Sequence, residues 1–225
     1  MALASYRGAG EGAAAAKRLT ERAATSGVAE WHTDQARLAR LVGVAEPHRP
    51  SKEQERTSNT LSAEDAAALC NLLEQQGVRF WLMGGWGVDA LLHRQTRPHK
   101  DLDALVLLDD LPALWNLLDA QGFTLRHVWE ENCWLEEEPH RWPTAFVVAD
   151  RDGRELDIHV ISIEPNGVIV QRYGNPWPFP DDITGQGSIA GVTITCVSRE
   201  TQLAMHTGYT LPDSQRRDLD LLQTD

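Results

Sequence analysis

The sequence predicts an α+β domain: a mixed β-sheet flanked by helices, with a smaller strand and helix region at its C-terminal end. Three observations predict it. From Leu61 onward, helix-period and strand-period segments follow in the order helix, strand, helix, strand, helix, then strands. Two of the strand-like runs carry carboxylates on one face and aliphatic side chains on the other. A compact turn signal, not a long loop, joins two of the later strands.

Each element has its own justification. Residues 1–60 are rich in Ala, Arg, Glu and Thr and end in EPHRPSKEQERTSNT. They have little to bury and read as a disordered extension or linker, with one short helical pattern at 34–42. Ser62 followed by Asp65 starts a helix. Ala66, Leu69, Cys70 and Leu73 continue it at helical spacing, and Gly77 stops it. The apolar run 78–83 is a buried strand. Gly84 and Gly85 then turn the chain, and 86–93 suits a short helix. Run 101–108 is apolar on both faces after its first turn, as a central strand should be. Leu111, Leu114, Trp115 and Leu118 mark a further helix, ended by Gly122. Runs 144–149 and 154–163 are strands joined by Asp150, Arg151, Asp152 and Gly153, a hairpin signal. Beyond Glu164 the chain reads as irregular, with Pro176, Pro178 and Pro180. Run 189–197 is strand-like, and 198–207 and 215–222 are helical.

Composition narrows the function. The net charge of −12 is uneven: residues 1–60 hold nine Lys/Arg against seven Asp/Glu, and the remainder holds 12 against 26. Lys100 is the only lysine after residue 60. A surface this acidic repels a phosphate backbone, which disfavours nucleic acid as a partner, and it attracts cationic small molecules. No apolar run approaches a membrane span, and the N-terminal Ala run lacks the form of a signal peptide. Cys70, Cys133 and Cys196 are odd in number and far apart. They read as free thiols in a reducing cytoplasm rather than as a disulfide or metal framework.

The chemistry concentrates between Gly84 and Asp157. Asp101 and Asp103 share one face of a strand, about 7 Å apart, while Leu102 and Ala104 face the core. Glu155, Asp157 and His159 share a face of the later strand, opposite Leu156, Ile158 and Val160. Ionised carboxylates at the mouth of a buried strand are costly unless paired, and a divalent cation such as Mg²⁺ removes that cost. If the two strands are neighbours, three carboxylates converge. Three carboxylates can hold two metals roughly 4 Å apart, an arrangement that serves in-line phosphoryl displacement. Gly84 and Gly85 let a backbone approach a triphosphate, although neither a P-loop nor a dinucleotide fingerprint is present. Arg94, Arg97, His99 and Lys100 form a basic cluster between the glycines and the aspartates. It reads equally as phosphate neutralisation and as a solvated loop.

With these residues in place, the chain resembles the nucleotidyltransferase superfamily related to DNA polymerase β. The resemblance rests on Gly84-Gly85, on Asp101-Leu102-Asp103 set among hydrophobic residues, and on Asp157 in a later strand. It is closer to the antibiotic-modifying branch, the lincosamide and aminoglycoside 2''-nucleotidyltransferases. That likeness runs through GGWGVDALLHRQTRPHKDLD, LDIHVI, and Val197 to Gln202 with His206, Thr207, Gly208 and Tyr209. The branch often has Gly where this chain has His93. The resemblance implies a polymerase β-like fold over 61–225, with a catalytic core at 61–163 and a substrate-side region at 164–225. It also implies transfer of a nucleoside monophosphate, usually AMP from Mg-ATP, to a substrate hydroxyl. Asp101 and Asp103 would hold two magnesium ions. Asp157 would ligate one and is the candidate general base. Gly84, Gly85, Arg97 and Lys100 would line the nucleotide, and His159 is a candidate orienter. The expected location is the cytoplasm.

For the acceptor, Glu130, Glu131, Glu136, Glu137 and Glu138 occur with Trp129, Trp134 and Trp142 in one stretch. Carboxylates and aromatic rings suit an aminoglycoside more than a lincosamide, which carries less charge. A solvated acidic loop is the plain alternative. Glu136, Glu137, Glu138, Trp142 and Tyr209 are the acceptor candidates, with Trp177 beside them. The competing class is an antitoxin or regulator of this fold that modifies or binds a protein partner.

Overall fold

The computed structural model describes residues 60–129, 134–137, 140–172, 179–180, 182–207 and 210–224. The predicted extension up to residue 59, its helical pattern at 34–42, and Glu130, Glu131, Glu138, Trp177 and Tyr209 lie outside these residues.

Helix α1 (Ala63–Gln75) starts where the sequence places it. The Ser62 hydroxyl oxygen accepts the Asp65 N–H at 3.1 Å, and Ala66, Leu69, Cys70 and Leu73 form the buried stripe. β1 (Phe80–Met83) runs directly into α2 (Gly84–Leu91). The helix begins two residues before the predicted start because Gly84, at φ 60°, completes the turn within a single residue. At the other end of α2, His93 adopts φ 54°, and its Nδ1 lies 3.0 Å from Ser188 Oγ. This left-handed backbone accounts for the glycine usual there in the resembling branch.

β2 (Asp101–Leu107) is followed by α3 (Leu111–Ala120), β3 (Thr124–Val128) and a small hairpin of β4 (Trp134–Glu137) and β5 (His140–Pro143). Then come β6 (Ala145–Ala149), β7 (Glu155–Ile163), β8 (Ile169–Gln171), β9 (Thr184–Ile189) and β10 (Val192–Val197). Two helices close the chain, α4 (Arg199–Met205) and α5 (Asp213–Thr224). Among the described residues the main sheet has eight strands, in the order β3-β6-β7-β2-β1-β10-β9 with β8 beside β7. β2 pairs parallel with β7 and antiparallel with β1, so the sheet is mixed and β2 is central.

One face of the sheet is apolar. Leu102, Ala104, Leu156, Ile158 and Val160 are fully buried there, and Trp115 of α3 stacks on Phe146 of β6 with ring centroids 4.9 Å apart. The opposite face carries the carboxylates. Beside them it becomes an apolar floor of Leu105, Leu107, Ile161, Ile169, Ile183 and Val197.

Two expectations fail. The stretch after Glu164 is not simply irregular, since it supplies β8 and β9. Run 189–197 is not one strand: the chain reverses at Ala190 and Gly191 (φ 50° and 77°), and β9 pairs along β10. Alanine gives no turn signal, so pairing between the two strands imposes the reversal. Strands β3 to β5 are short and polar and carried no alternating apolar pattern to read. Cys70 and Cys196 are buried free thiols, which burial pushes up to about 12 and about 11. Such thiols are poor nucleophiles and poor metal ligands. Among the described residues, no helix is long and apolar enough to cross a membrane.

Candidate active site

Strand register assembles the carboxylates. Asp103 lies opposite Asp157 across the parallel β2–β7 pair, and Asp101 lies opposite Glu155. Directly paired residues project to one face, so four carboxylates share a patch two residues long and two strands wide. The sequence reading had Glu155 on this face without assigning it to the site. Burial, then the charges of Asp101 and Asp157, push the Asp103 carboxyl well above the usual carboxylate range. Asp101 is raised by burial and by Asp157, with Lys100 opposing. Some surface remains open on both residues, so neither carboxylate is fully enclosed.

The glycine turn abuts this patch. A Cβ on Gly84 would stand 2.1 Å from Asp103 Oδ2. Gly84 is therefore bare because the aspartate occupies the side-chain space, in addition to any approach by phosphate. Its carbonyl oxygen accepts from Gln202 Nε2 of α4 at 3.0 Å, so a fully buried side chain from the late 197–202 stretch braces the turn. Gly84→Ala is expected to lower the melting temperature and displace Asp103, because it adds both a collision and an L-residue at positive φ. Melting curves and pyrophosphate release check this. An alanine variant that keeps both at parental values would show that the contact yields freely.

Three members of the basic cluster, Arg97, His99 and Lys100, are tied to carboxylates. His99 is 3% exposed and its Nε2 lies 2.5 Å from Asp89 Oδ2. Asp89, itself 1% exposed, also accepts from the Thr96 N–H at 3.1 Å and the Thr96 hydroxyl at 2.6 Å. The His99 ring packs on Trp86, centroids 4.6 Å apart, and would collide with a Cβ on Gly85. Arg97 donates from Nε and Nη2 to the Asp218 carboxylate of α5, with Nη2 to Oδ2 at 2.7 Å. A Cβ on Gly85 would also meet the Arg97 guanidinium at 2.7 Å, so Arg97 lies against the turn. Lys100 pairs with Glu155 at 2.9 Å. Sequence reading assigned no role to Asp89, Gln202 or Asp218. Asp89 lies three residues after Trp86 on one helix face, a spacing that was legible, whereas Asp218 is one acid among several on a charged helix.

Asp157 is buried. Its Oδ1 accepts from Trp129 Nε1 at 2.8 Å and lies 3.1 Å from His159 Nε2. His159 thus sits where an orienter would. Trp142 is 7% exposed and packs inward rather than offering a face to an acceptor. Glu136 and Glu137 fall in β4, and their side chains, like Glu138, lie outside the described residues. All the donors in the patch are hard carboxylate oxygens, the kind Mg²⁺ takes, and their crowded charge is what a cation relieves. Among the described residues no three acidic, His or Cys groups are already drawn to one point, as expected of carboxylates that repel one another.

Known proteins are similar to this chain in sequence and fold. The profile of the aminoglycoside-2''-adenylyltransferase family matches residues 66–222. A lincosamide resistance protein of Staphylococcus haemolyticus is 27% identical over 169 residues, 74% of this chain and 98% of that protein. The crystal structure of the lincosamide antibiotic adenylyltransferase LnuA with lincomycin bound superposes with a TM-score of 0.60 at 26% identity, covering 74% of this chain and 99% of that one. ANT(2'')-Ia in complex with adenylyl-2''-tobramycin is similar in fold, with a TM-score of 0.50 at 19% identity over 70% of this chain and 87% of that one. The family match spans the glycine turn and the carboxylate patch and runs into the last helix, and on it the chain belongs to the aminoglycoside-2''-adenylyltransferase family, with the nucleotidyltransferase fold.

Proposed function

We propose that the chain transfers AMP from ATP to a hydroxyl of a small antibiotic, an aminoglycoside or a lincosamide, and releases pyrophosphate. The observation that carries this reading is the pairing of Asp103 with Asp157 beside the Gly84 turn. The turn and the α2 N-terminus receive the phosphates. Gly84, Gly85, Arg97 and Lys100 line this side; Arg97 braces the turn through Asp218, and Lys100, the more exposed of the two cations, neutralises phosphate charge. Asp101, Asp103 and Asp157 would hold two magnesium ions, which when bound supply neutralisation of the phosphates and of the charge gathering on the leaving group. The acceptor oxygen attacks the α-phosphorus in line as the bond to the bridging oxygen breaks, and that electron pair leaves with pyrophosphate. The hydroxyl proton passes to Asp157 Oδ2. Dependence on ATP suits the cytoplasm, and the transferase domain is taken as 61–225, without residues 1–60.

The two acceptor classes rest on different observations. The acidity of residues 61–225 favours a polycationic aminoglycoside. The 27% identical relative is a lincosamide resistance protein, which favours the other class. The test is a panel of both with ATP, GTP and CTP, reading pyrophosphate release from the full chain and from a chain beginning at Thr60. Transfer from ATP is expected, equal in the two chains. With an aminoglycoside, KM is expected to rise with salt, because pairs between exposed charges are screened beyond about 8 Å at 0.15 M. Transfer to a lincosamide alone would remove the electrostatic argument and leave the chemistry standing. Transfer to neither class would remove the proposal.

A further inference from the structure

Trp129 has no role in the scheme above. It follows β3 directly, and its backbone N–H donates to the Ala145 carbonyl at 3.1 Å, which carries the β3–β6 pairing one step further. From there the indole Nε1–H donates to Asp157 Oδ1 at 2.8 Å. The ring meets His127 edge-on, centroids 4.6 Å apart at 86°. His127 lies in the same cross-strand row as Asp157, reached through Val147. The residue is therefore held at three points, two of them on the indole, although it is 45% exposed, the most open of the described tryptophans. A large apolar ring fixed in this way yet left open to solvent has a face available to a ligand.

Two features say which ligand. First, His159 Nε2 lies 3.1 Å from the same Asp157 oxygen that takes the indole N–H, and among the described residues no hydrogen bond engages Oδ2. Anchoring one carboxylate oxygen presents the other. Second, the sheet order sets direction. The glycine turn, which would take phosphates, follows β1, on one side of Asp157. Trp129 follows β3, on the opposite side, so the space it borders is where the attacking group must enter.

We propose that Trp129 is a positioning residue for Asp157 and the wall of the acceptor subsite. Its N–H holds Oδ1 so that Oδ2 meets the acceptor hydroxyl, and its exposed ring covers a ring face of the acceptor. This rests on the reading of Asp157 as the proton acceptor.

Two variants separate the parts: Trp129→Phe keeps a ring and removes the donor, and Trp129→Ala removes both. The Phe variant is expected to lose about 10–100-fold in kcat, the usual effect of removing a group that orients a site residue, with both KM values near parental. The Ala variant is expected to lose kcat similarly and to raise the acceptor KM severalfold while the ATP KM holds. An activity-free readout accompanies these. In ¹⁵N spectra of the full chain, which has eight tryptophans, the indole signal absent from Trp129→Phe is expected to be the one displaced by Asp157→Asn. Parental kcat in the Phe variant, or an indole signal indifferent to Asp157→Asn, would overturn the proposal. A parent that transfers to no acceptor while the indole signal still responds would overturn the functional reading and the catalytic part of this proposal with it, leaving only the contact.

Discussion

Asp103→Asn is expected to abolish nucleotidyl transfer, by about 10³-fold or more, while leaving the metal-free protein as stable as the parent or more so. The loss follows from charge. A metal-held phosphoryl transition state draws several kcal/mol of stabilisation from the site, and each 1.36 kcal/mol is about tenfold in rate. The stability effect has the opposite sign to that of an ordinary salt-bridged aspartate. Burial and the neighbouring carboxylates hold Asp103 well above the usual range, and Asp101 is raised too. Over that interval the folded state binds protons that the unfolded chain has released. Stability from these groups is fully present at low pH and is lost as pH rises from the ordinary carboxylate range through the raised values. Melting temperature in chelator should therefore fall across that interval, less steeply in Asp103→Asn, and Mg²⁺ should restore the parent at neutral pH more than the variant. Near-parental transfer by Asp103→Asn would locate the metal elsewhere, and a large drop in its melting temperature would make Asp103 a structural residue.

Asp89→Ala is expected to have the largest effect on stability. One buried carboxylate holds His99 Nε2 and both the N–H and the hydroxyl of Thr96. Removing it strands the buried His99 ring and the half-buried Thr96 groups, and breaking a buried pair costs about 3–5 kcal/mol. For a domain of this size that lowers the melting temperature by roughly 6–20 °C. His99 packs against Gly85, so the loss should spread to the glycine turn, with weaker ATP affinity expected in whatever fraction remains folded. Calorimetry and nucleotide titration check the two parts. A change of less than about 2 °C would mean that water fills the site and satisfies His99 and Thr96.

Much of this protein was legible locally. Ser62 and Asp65 start a helix within one turn of chain. Asp150 to Arg154 close a hairpin in five residues, and the alternation of Asp101 with Leu102 and Asp103 assigns faces within a single strand. Each of these signals acts over a few bonds, where backbone sterics and side-chain periodicity decide the outcome. The carboxylates that meet across β2 and β7 were likewise conspicuous, since carboxylates on a greasy strand have few uses.

Only the tertiary structure decided which residues meet. Nothing local aligns Asp103 with Asp157, which are 54 positions apart; burial of Leu102, Ala104, Leu156 and Ile158 on the far face sets that register, because a one-residue slip would bury the carboxylates. The same packing turned His99 inward to Asp89, tied Arg97 to Asp218 and Lys100 to Glu155, and brought Trp129 across β6 to Asp157. A sequence displays the charge and period of each segment, but the partner of a charged group is chosen by which segments bury their apolar faces together, and that choice belongs to the whole chain at once.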